Sequence, residues 1–314
     1  MQSNARIYVA GHNGLVGSAI VRRLTSGGFH NLVTASSAEL DLRCQKDVDA
    51  FFADRQPEYV FLAAAKVGGI HANSIYRADF IYDNLMISAN VIHAAWQFKA
   101  HKLMFLGSSC IYPRNCPQPM REEYLLTGEL EPTNEPYAIA KIAGLKMCES
   151  YNRQYGSDFV SLMPTNLYGM NDNFDTKSSH VLPALIRRFF DAQKNRAPYV
   201  TIWGTGAPMR EFMHVDDLAD AALFVMENVD GGGFVNVGTG SEISIRDLAL
   251  MIKEIIGYEG ELRFDATKPD GMRRKLLDVS RLAALGWTAK RSLREGLEAT
   301  VRWVQDNQAT FKGK

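Results

Sequence analysis

Much is missing from this sequence, and each absence narrows what the chain can be. Its four cysteines, Cys44, Cys110, Cys116 and Cys148, show neither CxxC spacing nor the density of a disulfide framework. No metal ligand set is assigned. There is no excess of charge: 35 basic residues balance 35 acidic ones, which gives no reason to expect nucleic acid or an anionic membrane as partner. Long apolar runs are missing too. The longest, such as residues 59–65, fall far short of the ~20 needed to span a bilayer. A strand-like Arg6-Ile7-Tyr8-Val9-Ala10 leaves no room for an export signal, so a cytoplasmic protein with reduced thiols is expected. Neither an internal repeat nor a low-complexity linker is visible.

What remains is an alternation of strands and helices. Apolar runs at 7–10, 31–35, 59–65 and 102–106 are each followed by a longer stretch of helical pattern. Buried parallel strands read as continuous apolar runs, and right-handed crossovers gather them into one sheet. The expectation is an α/β protein with a Rossmann-type doubly wound parallel sheet. After Tyr168 glycine and proline break the rhythm. We therefore expect a dinucleotide-binding domain over 1–168, rejoined by a returning segment at about 212–240, and a smaller substrate lobe over most of 169–314.

Two motifs carry chemistry. Gly11-His12-Asn13-Gly14-Leu15-Val16-Gly17 lies between the first strand and first helix. Gly11 permits a sharp turn, Gly14 admits a pyrophosphate to the backbone, and Gly17 lets helix pack on strand. The helix then offers free N–H groups and its positive end to phosphates. Tyr137-Ala138-Ile139-Ala140-Lys141 sets a phenol and an ammonium one helical turn apart. Alone, such a pair is a solvated surface feature. The fourth strand, however, ends in Gly107-Ser108-Ser109-Cys110, and strand C-termini of a doubly wound sheet face the ligand crevice. Ser108, Tyr137 and Lys141 together form a short-chain reductase triad. Lys141 is expected to lower the phenol pKa, and Ser108 to polarise the carbonyl being reduced.

Several segments resemble those of the GDP-L-fucose synthase family within the extended short-chain dehydrogenase/reductases. They are Ala63-Ala64-Ala65-Lys66-Val67-Gly68-Gly69-Ile70, Leu106-Gly107-Ser108-Ser109-Cys110-Ile111-Tyr112-Pro113, Glu131-Pro132-Thr133-Asn134-Glu135-Pro136-Tyr137-Ala138-Ile139-Ala140-Lys141, Met163-Pro164-Thr165-Asn166-Leu167-Tyr168-Gly169, Arg210-Glu211-Phe212-Met213-His214-Val215-Asp216-Asp217 and Lys268-Pro269-Asp270-Gly271. The resemblance implies conversion of a GDP-4-keto-6-deoxymannose to GDP-fucose, by inversion at C3 and C5 and reduction at C4 with NADPH. For the cofactor it implies the glycine loop, Ser36, Ser37, Asp41 and Leu42, then Leu106 to Ser109, Lys141, Pro164 to Leu167 and His180. For proton transfer it implies Cys110 as base and His180 as acid, and for the GDP-sugar Arg188, Trp203, Arg210 and Asp270. Read without the family, Cys110 is a small buried hydrophobe, His180 a structural histidine, Arg188 a surface cation and Trp203 a core residue. The resemblance also implies a homodimer formed through the helix after Tyr82 and the one carrying Tyr137. Asp216-Asp217 are expected to cap and brace.

The chain departs from the family where arginines usually meet the 2′-phosphate of NADP, since those positions read Asn13 and Ser37. The acidic residue typical of NAD binders is missing from the second strand as well. Met272-Arg273-Arg274-Lys275 replaces a more usual Thr-Pro-Arg-Lys. A 4,6-dehydratase would need Asp-Glu where Ser109-Cys110 stand, and a simple 4-epimerase has no use for Cys110 or His180. A colitose-type relative inverting C5 alone would use the same residues. A non-catalytic redox sensor tends to lose the Tyr–Lys pair.

Overall fold

The computed structural model describes residues 1–175, 179–268 and 270–307. Ser178, beside His180, and Pro269, in one of the segments above, lie outside them. The chain runs through β1 (Ile7–Ala10), α1 (Leu15–Ser26), β2 (Leu32–Val33), α2 (Gln45–Arg55), β3 (Tyr59–Leu62), α3 (Ile70–Ile75), α4 (Arg77–Gln97) and β4 (Lys102–Leu106). Then follow α5 (Glu135–Tyr155), β5 (Phe159–Pro164), β6 (Asn166–Tyr168), α6 (Val181–Lys194), β7 (Tyr199–Trp203), β8 (Met209–Arg210), β9 (Phe212–His214) and α7 (Val215–Asn228). The remainder comprises β10 (Gly233–Val237), β11 (Ile243–Ser244), α8 (Ile245–Ile256), β12 (Glu261–Asp265), β13 (Arg274–Lys275), α9 (Ser280–Ala284) and α10 (Leu293–Asp306).

Among the described residues, six strands form one sheet in the order β10-β5-β4-β3-β1-β2, and every pairing is parallel. Chain order reverses at β1, whose neighbours are β2 on one side and β3 on the other. That reversal opens the crevice at the strand C-termini where such sheets bind ligands. The sheet is Rossmann-type, as its apolar runs predict, although β2 keeps only two residues of the expected run at 31–35. Ile7, Val9, Phe61 and Met104 pack with α1 and α7 on one face, while Tyr8, Val60, Leu103 and Phe105 pack with α2, α4 and α5 on the other.

Short sheets and three helices build the other lobe. Leu182, Ile186 and Phe189 of α6 meet Leu248 and Ile252 of α8 and Leu297 and Val301 of α10. The α10 helix opens with a reciprocal cap between Ser292 and Glu295. The cap expected of Asp216 and Asp217 is supplied instead by His214, whose Nδ1 accepts from the Asp216 N–H at 3.3 Å, and the two aspartates only brace that end of α7. Asp216 accepts from Arg22 Nη2 at 2.7 Å, and Asp217 from the backbone N–H groups of Lys290 and Arg291. No helix among the described residues is long and apolar enough to cross a membrane.

Candidate active site

The turn from β1 into α1 is shaped by its glycines. Gly11 has φ +83, and a Cβ there would stand 2.8 Å from Ala64 backbone atoms of the neighbouring strand end. A Cβ on Gly17 would lie 2.1 Å from the Gly11 carbonyl, so only glycine lets α1 begin so close to β1. Gly14 differs, because a Cβ there would meet nothing nearer than 3.5 Å. That face is open on the protein side, and no side chain caps the first turn of α1. Close by, His12 Nδ1 is buried without a partner. An open Gly14 face, free helix N–H groups and an orphaned imidazole nitrogen fit a dinucleotide pyrophosphate.

The reducing groups stand on β4 and α5. Glu135-Pro136 opens α5, and Gly156 in a left-handed conformation closes it. The helix buries Ala138, Lys141, Ile142, Gly144, Leu145 and Cys148 at the spacing of one face. Gly144 seats against the Phe105 ring, which would lie 2.5 Å from any Cβ there. This close approach brings Lys141 over the same ring at 4.9 Å and lets its Nζ donate to the Leu106 carbonyl at 2.7 Å. Burial lowers the Lys141 pKa to about 8. Nζ lies 5.8 Å from the centre of the Tyr137 ring.

The effect expected of Lys141 on Tyr137 is not seen. The phenol is pushed above its ordinary value, first by burial and then by the neighbouring Cys110, against a hydrogen bond with Ser108 that lowers it. The physical reason is burial of the lysine itself, which gives up its proton near 8 and so carries no charge where the phenol would titrate. A phenol held protonated is nevertheless what a proton donor to a ketone must be.

Beyond β4 the chain makes one 3₁₀ turn, residues Ser109–Ile111. Ser108 Oγ accepts from the Cys110 N–H at 3.2 Å, which leaves the Ser108 proton free to donate. Cys110 Sγ is approached by two donors that sequence reasoning did not assign, Asn134 Nδ2 at 3.2 Å and Lys275 Nζ at 3.5 Å. His180 precedes α6 as its N-cap. Protein crowding lowers its pKa, and the charge of Lys275 lowers it further, although the ring still meets solvent. A cation at a helix N-terminus also opposes the dipole. In the free protein the imidazole is therefore biased toward its neutral form.

The residues expected to hold the GDP-sugar come from the second lobe. Trp203 is 57% exposed and so is not core. Arg188 lies over its ring at 5.2 Å and Lys268 at 5.8 Å, leaving an aromatic surface flanked by cations. Burial lowers the Arg188 pKa, and it lowers that of Arg210 against the attraction of Asp270. Both Asp270 oxygens are engaged by Thr205, through its N–H at 2.7 Å and its hydroxyl at 2.8 Å. A cavity of about 610 Å³ beside these groups is lined by Met209, Asp270, Arg273 and Arg274 among others. Tyr137 is not among its lining residues.

Around the adenosine end, Asn13 and Ser37 are exposed. The acidic residue missing from the second strand arrives from the loop after it. Glu39 folds back, and its carboxylate accepts both the N–H and the hydroxyl of Ser36 at 2.7 Å. The Ser36 donors, expected to serve a cofactor, are thus occupied. Arg43 is held by Asp41 at 2.8 Å and by Asp83 at 3.3 Å. Leu42 is fixed through its carbonyl by Asn90. Thr165, between β5 and β6, and Asn166, which opens β6, both donate to the Glu211 carbonyl.

A doubly wound sheet with a glycine turn at its switch point and Ser108, Tyr137 and Lys141 at its C-terminal edge defines a dinucleotide-dependent reductase of the short-chain class. Residues 7–238 match the NAD dependent epimerase/dehydratase family, and the chain belongs to that family. Within it the chain stands with the GDP-L-fucose synthases. It is 60% identical to GDP-L-fucose synthase 1 of Arabidopsis thaliana, over 97% of this chain and 94% of that one. It is 55% identical to GDP-L-fucose synthase of Escherichia coli strain K12, over 99% and 100%. Among solved structures, the NADP-bound GDP-mannoheptose C4 reductase MlghC of Campylobacter jejuni superposes with a TM-score of 0.89. It is 44% identical, over 97% of this chain and 99% of that one.

Proposed function

We propose that this protein converts GDP-4-keto-6-deoxy-D-mannose to GDP-L-fucose, inverting C3 and C5 and then reducing C4. The observation that carries this reading is the 3.2 Å bond from the Cys110 N–H to Ser108 Oγ. It fixes a thiol one turn from the group that polarises the ketone, so proton removal and reduction share one carbonyl. The C4 ketone acidifies the protons on both flanking carbons. Cys110 takes each in turn, while Ser108 and Tyr137 donate to the enolate oxygen. His180 returns a proton to the opposite face. The diphosphate of the substrate offsets the positive surroundings of His180 and favours its protonated form. NADPH, when bound, supplies the hydride that reduces C4. Tyr137 then gives its proton to the C4 oxygen, and Lys141 stays anchored to the Leu106 carbonyl behind it.

Arg188, Trp203 and Arg210 hold the GDP, with the arginines toward the diphosphate and the indole toward the base. Asp270 shapes that loop through Thr205. The chain works as a homodimer in the cytoplasm. The supporting feature is that α4 and α5 pack side by side and leave Tyr82, Ile139 and Tyr155 at 59%, 40% and 47% exposure. Sedimentation of Tyr82→Asp and Tyr155→Asp against the native chain tests the pairing. The function is tested by adding GDP-4-keto-6-deoxy-D-mannose and NADPH, following cofactor consumption and identifying the product by NMR. Product inverted at C5 alone, or no consumption, overturns the reading.

A further inference from the structure

Lys275 has no part in the reaction as described, yet it is the cation nearest the proposed base. It sits on β13, which pairs in parallel with β8, and its carbonyl accepts from the Glu211 N–H at 3.3 Å. The next two residues are pinned as well. The Leu276 N–H donates to Gln118 Oε1 and the Leu277 N–H to the buried Glu211 carboxylate. With its backbone clamped at three successive residues, a half-buried Lys275 has little freedom to swing away. Among the described residues no carboxylate lies within ion-pairing distance of Nζ, whereas the adjacent Arg274 is neutralised by Glu242 at 2.8 Å. The Lys275 ammonium instead donates to Cys110 Sγ at 3.5 Å, and Asn134 Nδ2 donates to the same sulfur at 3.2 Å. Two N–H donors, one charged and otherwise unpaired, converge on one sulfur. A thiolate accepts such bonds far better than a thiol does.

We propose that Lys275 is a positioning residue that holds Cys110 as a thiolate at neutral pH, with Asn134 as the second donor. The proposal rests on the reading of Cys110 as the base and adds what makes it one. The thiolate takes the proton from C3 or C5 and becomes S–H, and the C–H electron pair moves to the C4 oxygen. Lys275 then favours loss of that proton to water, which resets the half-buried sulfur for the second inversion. The other titratable groups facing the sulfur are Tyr137 from α5 and, across Lys275, His180 at the start of α6. Lys275 disfavours the charged form of His180. One cation thereby biases both partners, keeping the sulfur deprotonated and making the imidazolium a readier donor.

The test has two readouts. The first is the rate at which iodoacetamide modifies Cys110 at pH 7 without substrate, followed by mass spectrometry with the Cys44 peptide as internal reference. The second is solvent deuterium uptake at C3 and C5 as a function of pH. Lys275→Met should slow Cys110 modification about tenfold or more, as loss of a neighbouring cation does for thiolates. It should also move the onset of deuterium uptake to higher pH, and Lys275→Arg should restore most of both. Lys275→Gln, which keeps a polar end, should behave like Lys275→Met and separates the charge from packing. Native modification rates in both neutral variants would overturn the proposal. If Lys275→Met slows modification while Cys110→Ala still exchanges deuterium, the ion pair stands and the assignment of Cys110 as base falls.

Discussion

Ser108, Tyr137 and Lys141 stand on β4 and α5, adjacent elements of one sheet domain packed through Gly144 and Phe105. Cys110, His180 and Lys275 come from a 3₁₀ turn, the start of α6 and β13, and they meet only because the second lobe closes over the sheet edge. In the first group Lys141 is buried and donates to a main-chain carbonyl at 2.7 Å, which anchors the half-buried Ser108 and Tyr137 from behind. The second keeps contact with solvent, with an exposed imidazole and a half-buried thiol. The difference matches the two tasks. Reduction needs one proton delivered once at a fixed oxygen, which favours a rigid donor. Two successive inversions need a base and an acid that are each reset between turnovers, which favours groups in exchange with water.

The comparison breaks most visibly at Tyr137. Tyr137→Phe should slow reduction about 10²–10⁴-fold, the range a positioned proton donor supplies. Deuterium exchange at C3 and C5 should fall much less, because Ser108 still supports the enolate. Equal losses in both, measured by NADPH oxidation and NMR on the same samples, would mean that the two groups of residues do not act separately.

Cys110→Ala tests the other side. Exchange at C3 and C5 should drop by about 10² or more, while reduction of an intermediate already inverted at both carbons continues. His180→Asn should likewise block inversion and spare reduction. Unchanged exchange in Cys110→Ala removes the thiol from the base role, and normal fucose output from His180→Asn removes the imidazole from the acid role.

How far each group can be read from sequence follows from what joins its members. Tyr137 and Lys141 are one helical turn apart, so local geometry alone predicts their shared face. The glycine turn is legible for the same reason, since Gly11 and Gly17 act within seven residues of each other. Lys275 reaches Cys110 across 165 residues of chain, and no local period encodes that meeting. Glu39 is only three residues from Ser36, yet its return depends on a loop conformation that neither period nor composition sets. The sequence therefore suggested a missing carboxylate where the fold supplies one. Trp203 departs only from its reading without the family, because an indole is most often core and here it faces solvent between two cations.

A smaller effect sharpens the contrast through stability. Lys141 is buried, and its pKa falls from 10.5 to about 8, a drop corresponding to about 3 kcal/mol of folding penalty while the ammonium stays charged. The unfolded chain holds its proton up to about pH 10.5 and the folded one only to about 8. The penalty is therefore complete below pH 8 and is relieved as pH rises through that window. Lys141→Met removes it but leaves the Leu106 carbonyl without its donor, which costs about 1–3 kcal/mol. The variant should be inactive yet at least as stable as the native chain at pH 7, and its relative stability should decline by pH 10. Urea melts at the two pH values decide it. A large loss at pH 7 would show that the anchor outweighs the buried charge.

The smallest expected effect concerns the cofactor, where Asn13 and Ser37 stand at the positions expected to carry arginines. A 2′-phosphate is best held by arginine, and neither Asn13 nor Ser37 offers a charge-assisted fork. The structure removes two substitutes as well. Ser36 gives both its N–H and its hydroxyl to Glu39, and Arg43 is bound to Asp41 and Asp83. Glu39 also sets a negative charge beside the place a 2′-phosphate would take. What remains for the phosphate is Ser37, whose neutral hydrogen bond is worth only ~0.5–1.5 kcal/mol. We expect NADPH to be preferred over NADH by no more than about tenfold, equivalent to ~1.4 kcal/mol. Ser37→Arg should raise that preference by restoring a charged contact, and Glu39→Gln should raise it by removing a repulsion. The measurements are kcat/KM for both cofactors, and the dissociation constant of each by quenching of protein fluorescence. A native preference above about a thousandfold would mean that Arg43 leaves Asp41 to take the phosphate, and Arg43→Met would then abolish it.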